Sequence, residues 1–100
     1  MSTPQKRRQW LIEHGTATLQ ELRRSMLKQC YTLSRQDTAQ CLTALDYAAN
    51  YIPTLQTAKP SALTASALAP RADLDCLHHL HRAATILHHV PALTDIKPLL

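Results

Sequence analysis

The sequence predicts a mainly α-helical protein, and three observations carry that expectation. Leu and Ala, both strong helix formers, dominate the apolar residues, while strand-favouring Val and Ile are scarce and Phe is absent. A single glycine, Gly15, leaves few sites for tight hairpins. Two stretches open with capping signals, and apolar residues then recur at helical spacing.

The first helix is predicted to start at Thr3, with Pro4 at the first helical position, where a missing N–H costs nothing. It is expected to end near His14, with Gly15 as a left-handed C-terminal cap. Trp10, Leu11 and Ile12 are its apolar content. Lys6, Arg7 and Arg8 make a basic first turn, which opposes the helix dipole and hints at a use for the charge. A second helix is expected from the capping box of Thr18 and Glu21, with Leu19, Leu22, Met26 and Cys30 at helical spacing. Arg23, Arg24 and Lys28 fall on its other faces, and "KQCYT" closes it.

The third helix is the stretch "LSRQDTAQCLTAL", opened by Ser34 and Asp37 as a second capping box. Leu42, Leu45, Ala49 and Ile52 form the expected core stripe. Gln36, Gln40, Thr43 and Tyr47 share another, polar face. This helix is expected to stop near Asn50, ahead of Pro53. Tyr51 and Ile52 then begin a short strand that Thr54 to Thr57 continue. Beyond them the segment reads either as a loop or, in "SALTASALA", as a short Ala-rich helix.

A last helix is expected over residues 72–90, stopped by Pro91. Leu77, Leu80, Ala84 and Leu87 make a narrow stripe of the kind that pairs with one other helix. The stripe predicts dimerisation through residues 72–90; the alternative is a fold-back onto the first three helices. Residues 91–100 read as an irregular tail whose leucines dock locally. The expected organisation is thus a domain over 1–58, a linker over 59–71, a dimerisation helix over 72–90 and a tail over 91–100.

The chain has 100 residues and a formal charge of +4. Residues 1–35 hold seven cations against two anions, so the positive charge sits in this part, which points to an anionic partner. Cys30, Cys41 and Cys76 are odd in number and form no CxxC pair, so neither a disulfide framework nor a zinc ribbon is indicated. Reduced thiols in a cytosol account for them. No apolar run reaches the length of a signal peptide core or a membrane span, and a cytoplasmic location is expected.

"RRQWLIEHGTATLQELRRSML" followed by "LSRQDTAQCLTALDYAANYI" resembles the bacterial winged helix-turn-helix transcription regulators, over residues 4–57. In that family a first helix leads through a short connection into an "LQEL"-like helix, and a third helix enters the major groove. The resemblance implies that Ser34, Arg35, Gln36, Thr38 and Gln40 face DNA bases, because Arg and Gln match guanine and adenine edges with paired hydrogen bonds. It implies phosphate contacts from Lys6, Arg7, Arg8, Arg23, Arg24 and Lys28. The implied function is that of a sequence-specific transcriptional regulator, dimeric on double-stranded DNA. The alternative is a small helical adaptor or inhibitor that binds another protein through the same fold.

Some dimeric winged-helix repressors bind a metal between C-terminal helices, and Cys76, His78 and His89 have somewhat similar spacing. No acidic or fourth ligand accompanies them, so no metal or other cofactor is assigned and the histidines are expected to be solvated. No Gly-rich phosphate loop, carboxylate pair or Ser-His-Asp spacing supports catalysis, and the chain is not expected to be an enzyme.

Overall fold

The structure is a computed structural model, and residues 3–57 and 70–100 are described here. They form four α-helices and a closing 3-10 turn: α1 Pro4–Gln29, α2 Arg35–Thr57, α3 Pro70–Leu87, α4 Val90–Ile96 and the turn Lys97–Leu99. The protein is mainly helical, and no strand occurs among the described residues. The expected linker lies largely outside the described residues, as does the choice between loop and helix for "SALTASALA".

α1 starts as expected: the Lys6 N–H donates to Thr3 Oγ1 at 3.2 Å, and Pro4 is the first helical residue. The expected break at Gly15 does not occur. α1 runs on for 26 residues, so the first two expected helices are one, about 39 Å long at 1.5 Å per residue. Gly15 is a packing residue instead of a cap. A Cβ placed on it would lie 3.0 Å from Ile52 Cδ1, so its bare backbone is what lets α2 come close. Thr18 is interior and buried; interior N–H groups bond the carbonyl four residues back, so the Thr18–Glu21 box has nothing to cap. Gly15→Val is expected to destabilise the fold by about 1–3 kcal/mol through overpacking against Ile52. Chemical denaturation checks this, and a stability at or above wild type would show that α2 does not pack there.

α2 also starts as expected, with the Asp37 N–H donating to Ser34 Oγ at 3.0 Å. It then continues past Asn50 and through Pro53 to Thr57. Tyr51–Thr57 is therefore helix, and the expected wing strand is absent. The reason lies in the apolar pattern: Cys41, Ala44, Leu45, Ala48, Ile52 and Leu55 are all buried, one stripe that crosses the proline. Proline costs a helix interior about 3 kcal/mol, and burial of Ile52 and Leu55, at about 1.5–3 kcal/mol each, offsets it. Leu42 was expected in this stripe and is 47% exposed instead.

α1 and α2 lie side by side and antiparallel. Gly15 meets Ile52, and the Gln56 side-chain amide donates to the Ile12 carbonyl at 3.2 Å. α3 runs back parallel to α1: Arg8 meets Asp73 near its start, and the Gln29 amide donates to the Leu87 carbonyl at its end, 2.8 Å away. Leu77, Leu80, Ala84 and Leu87, the expected dimer seam, are 0–2% exposed in the chain's own core, with Leu11, Leu22 and Ile52. The stripe is filled by fold-back onto α1 and α2, because three helices in one chain already offer the apolar surface that a partner helix was expected to supply.

α3 stops at His88, whose φ of 54° is the left-handed conformation that ends helices, and the His89 N–H reaches back to the Ala84 carbonyl at 2.9 Å. His89 then caps α4 by accepting the Ala92 N–H on Nδ1 at 3.3 Å. The expected irregular tail is thus partly helical. Ala92 and Ile96 are buried, and the Leu99 carbonyl accepts from Arg7 Nε at 2.7 Å, which returns the chain to the start of α1. The order is up-down-up-down, with a short fourth member.

Candidate functional site

Three places in the bundle bring polar or exposed apolar groups together. The first is buried. Asp73, at the start of α3, is fully buried and accepts from Arg8 Nε at 3.0 Å and Arg8 Nη2 at 3.3 Å. The Tyr51 hydroxyl donates to the same carboxylate. Burial and then the hydrogen bond to Asp73 raise the Tyr51 pKa, so it stays a donor. Burial lowers the Arg8 pKa, but the bonds and charge of Asp73 outweigh it and leave a net rise. Arg8 Nη1 has no hydrogen-bond partner among the described residues. The cluster joins the starts of α1 and α3 to the end of α2, and apart from Arg8 Nη1 its polar groups bond one another.

Arg8 is thereby lost from the expected phosphate contacts: it is 6% exposed and bound to a carboxylate. The sequence held a signal for this. Arg8, Leu11, Gly15, Thr18 and Leu22 keep alternating spacings of three and four, and all five are buried. Asp73 likewise stands first in the stripe of Leu77, Leu80, Ala84 and Leu87. A charge at a core position calls for a buried counter-charge.

Near this cluster the His79 ring packs against Tyr47 in a tilted arrangement, with ring centroids 4.4 Å apart. Burial, then the neighbouring Arg82, lowers the His79 pKa. Burial, then the charge of Asp73, pushes the Cys76 thiol up to about 12, and Cys41 is raised by burial and Asp37. Neither thiol is poised as a nucleophile. Cys30 is exposed, and all three cysteines are free. Of the metal-like trio, Cys76 lies in the core, His78 is exposed and His89 caps α4. Among the described residues no three His, Cys, Asp or Glu side chains gather around one point.

The second place is the expected nucleic-acid face. Ser34 is the cap of α2, and the Thr38 hydroxyl donates to the Ser34 carbonyl at 2.9 Å, so both hydroxyls serve the helix start. Arg35, Gln36 and Gln40 are exposed. Gln40, one turn on from Gln36, lines a shallow groove between α2 and α3, with Thr43, His79 and Arg82. Arg23, Arg24 and Lys28 are exposed on the second half of α1, and none has an ion pair among the described residues. Lys6 and Arg7 stand at the other end of α1, about 26 Å from Arg24 along the helix axis. Lys28 and Arg35 stand near the turn between α1 and α2, Arg23 and Arg24 lie further along α1, and Lys6 and Arg7 are separate from all four.

The third place was not anticipated. On the outer face of the hairpin, Arg23, Met26 and Leu27 of α1 and Leu42, Leu45 and Asp46 of α2 line a groove of about 270 Å³. Leu27 is 71% exposed and Leu42 47%, and Tyr31, at the end of the hairpin, is 98% exposed. α3 and α4 do not cover this groove. Among the described residues, no helix is long and apolar enough to cross a membrane. No protein-family model, no curated protein and no solved structure matches the chain.

Proposed function

We propose that the chain is a non-catalytic helical interaction module that docks on another protein surface through the outer face of the α1–α2 hairpin. One observation carries this reading. Leu27 and Leu42 stand exposed across one groove, while the core closes without them. Single exposed leucines are ordinary on a protein surface. Two that line one groove together with Met26 are the arrangement that a partner side chain fills. The free thiols Cys30, Cys41 and Cys76 suit a reducing compartment such as the cytosol.

The test is site-specific cross-linking in the cell that makes the protein. A benzophenone side chain at position 27 is expected to give discrete products. Leu42→Ser should suppress them, and the same probe at exposed Thr85 should not form them. Equal, diffuse labelling at positions 27 and 85 removes the reading.

A second reading, a DNA-binding transcriptional regulator, is favoured by the exposed cations Arg23, Arg24 and Lys28 on the second half of α1 and Arg35 at the start of α2. It now rests on charge, since the hairpin is antiparallel and no wing strand is present among the described residues. Here Arg35, Gln36 and Gln40 would reach bases, and Arg24 and Lys28 phosphates. A gel-shift titration with duplex DNA at several salt concentrations separates the two readings. A DNA binder weakens steeply as salt rises, whereas the interaction module is expected to leave the duplex unshifted.

A further inference from the structure

We infer that the partner on the hairpin face is a second copy of this chain, paired about a two-fold axis that runs along the hairpin. The inference rests on the docking reading above and names its occupant. Its basis is register and charge. Within one chain Gly15 is level with Ile52, and Ile12 with Gln56. Carried along the antiparallel pair, this register brings Arg23 to within about two residues of the level of Asp46, and Leu27 equally near that of Leu42, and all four line one groove.

A two-fold axis parallel to the helices exchanges α1 for α2 and keeps each residue at its height. Leu27 of one copy then lies over the partner's Leu42, and Arg23 over the partner's Asp46. Symmetry makes each contact twice. The centre of the patch becomes leucine on leucine, and its flank becomes two ion pairs. Arg23 is free for this, having no ion pair within its own chain among the described residues.

Charge also favours a second copy over an acidic or a basic partner. The groove carries one cation and one anion. An acidic partner helix would satisfy Arg23 and meet Asp46 with like charge; a basic one would do the reverse. A second copy presents each charge with its opposite. The apolar part is of the right kind as well, since Leu27, Leu42 and Met26 are only partly removed from water in one chain and would be covered in the pair.

Sedimentation equilibrium of the full chain over a wide concentration range tests this, with charge-reversal variants. The wild type is expected to dimerise. Arg23→Asp and Asp46→Arg should each raise the dimer dissociation constant by about tenfold or more, because each puts like charges face to face. The double variant Arg23→Asp with Asp46→Arg should recover the dimer. Both positions are exposed, and circular dichroism confirms that each variant is folded; Leu27→Gln is the independent second probe and should also dissociate the pair. A wild type that stays monomeric throughout overturns the inference, as do single reversals that leave the dimer intact or a double variant that does not restore it. If the wild type is monomeric and position 27 still cross-links discretely to another protein, the docking reading stands without self-pairing. If it cross-links to nothing, both fall.

Discussion

Asp73→Ala is expected to lower the unfolding free energy by about 3–5 kcal/mol, because it leaves the Arg8 guanidinium buried with no counter-charge. Solvent does little to screen the loss, since Arg8 is 6% exposed and Asp73 fully buried. Against a total of about 5–15 kcal/mol for a domain, this is enough to populate unfolded chain at 25 °C. Tyr51→Phe removes one donor to the same carboxylate and should cost less, about 1.5–3 kcal/mol. Arg8→Met combined with Asp73→Leu removes both charges and fills the space with apolar groups. That double variant should be near wild type or more stable, as buried ion pairs exchanged for packed apolar groups often are. Urea denaturation of the four proteins checks the series. A shift within about 0.5 kcal/mol for Asp73→Ala, the range of an ordinary surface substitution, would mean that the carboxylate is not buried in solution.

The parts of the fold that were legible in the sequence are those set by local interactions. Thr3 and Ser34 announce the starts of α1 and α2 because a cap bonds an N–H only three residues away. Helix ends were not legible in the same way. A glycine that stops a helix and a glycine that admits a neighbouring helix look alike in sequence, and at Gly15 the choice was made by Ile52, 37 positions further on. Pro53 read as a stop for the same reason: its local cost is visible, while the burial of Ile52 and Leu55 that outweighs it is tertiary.

The candidate groove was hidden by a rotation of about one residue around α2. Leu42, Leu45, Ala49 and Ile52 keep helical spacing, and so do Cys41, Ala44, Ala48 and Ile52. Only packing between α1 and α3 shows that the second set faces inward and that Leu42 is left outside. The buried triad was hidden because its members come from three helices, and Arg8 was read with Lys6 and Arg7 as one basic turn. Its place in the stripe with Leu11, Gly15, Thr18 and Leu22 distinguishes it from both.

Leu80→Asp is expected to abolish folding, not to turn a dimer into a folded monomer. Leu80 is fully buried, and Leu77, Ala83, Ala84 and Leu87 of the same helix share its core with Leu11, Leu22 and Ile52. Truncation of such a leucine alone costs about 2–5 kcal/mol. A carboxylate at the site adds the cost of burying a charge without a partner, several kcal/mol more. The sum reaches the whole stability of a typical small domain. Leu80→Ala should therefore melt far below wild type, and Leu80→Asp should lose its helical circular dichroism at all temperatures. Surface variants of the hairpin face, such as Leu27→Gln, should keep that signal, since their side chains lie outside the core. The two sites thus give opposite signatures: loss of the fold without a separate assembly step at Leu80, and loss of assembly with the fold intact at Leu27. A folded, monomeric Leu80→Asp protein from a dimeric parent would return the stripe of Leu77, Leu80, Ala84 and Leu87 to an interface between chains and would take α3 out of the core described here.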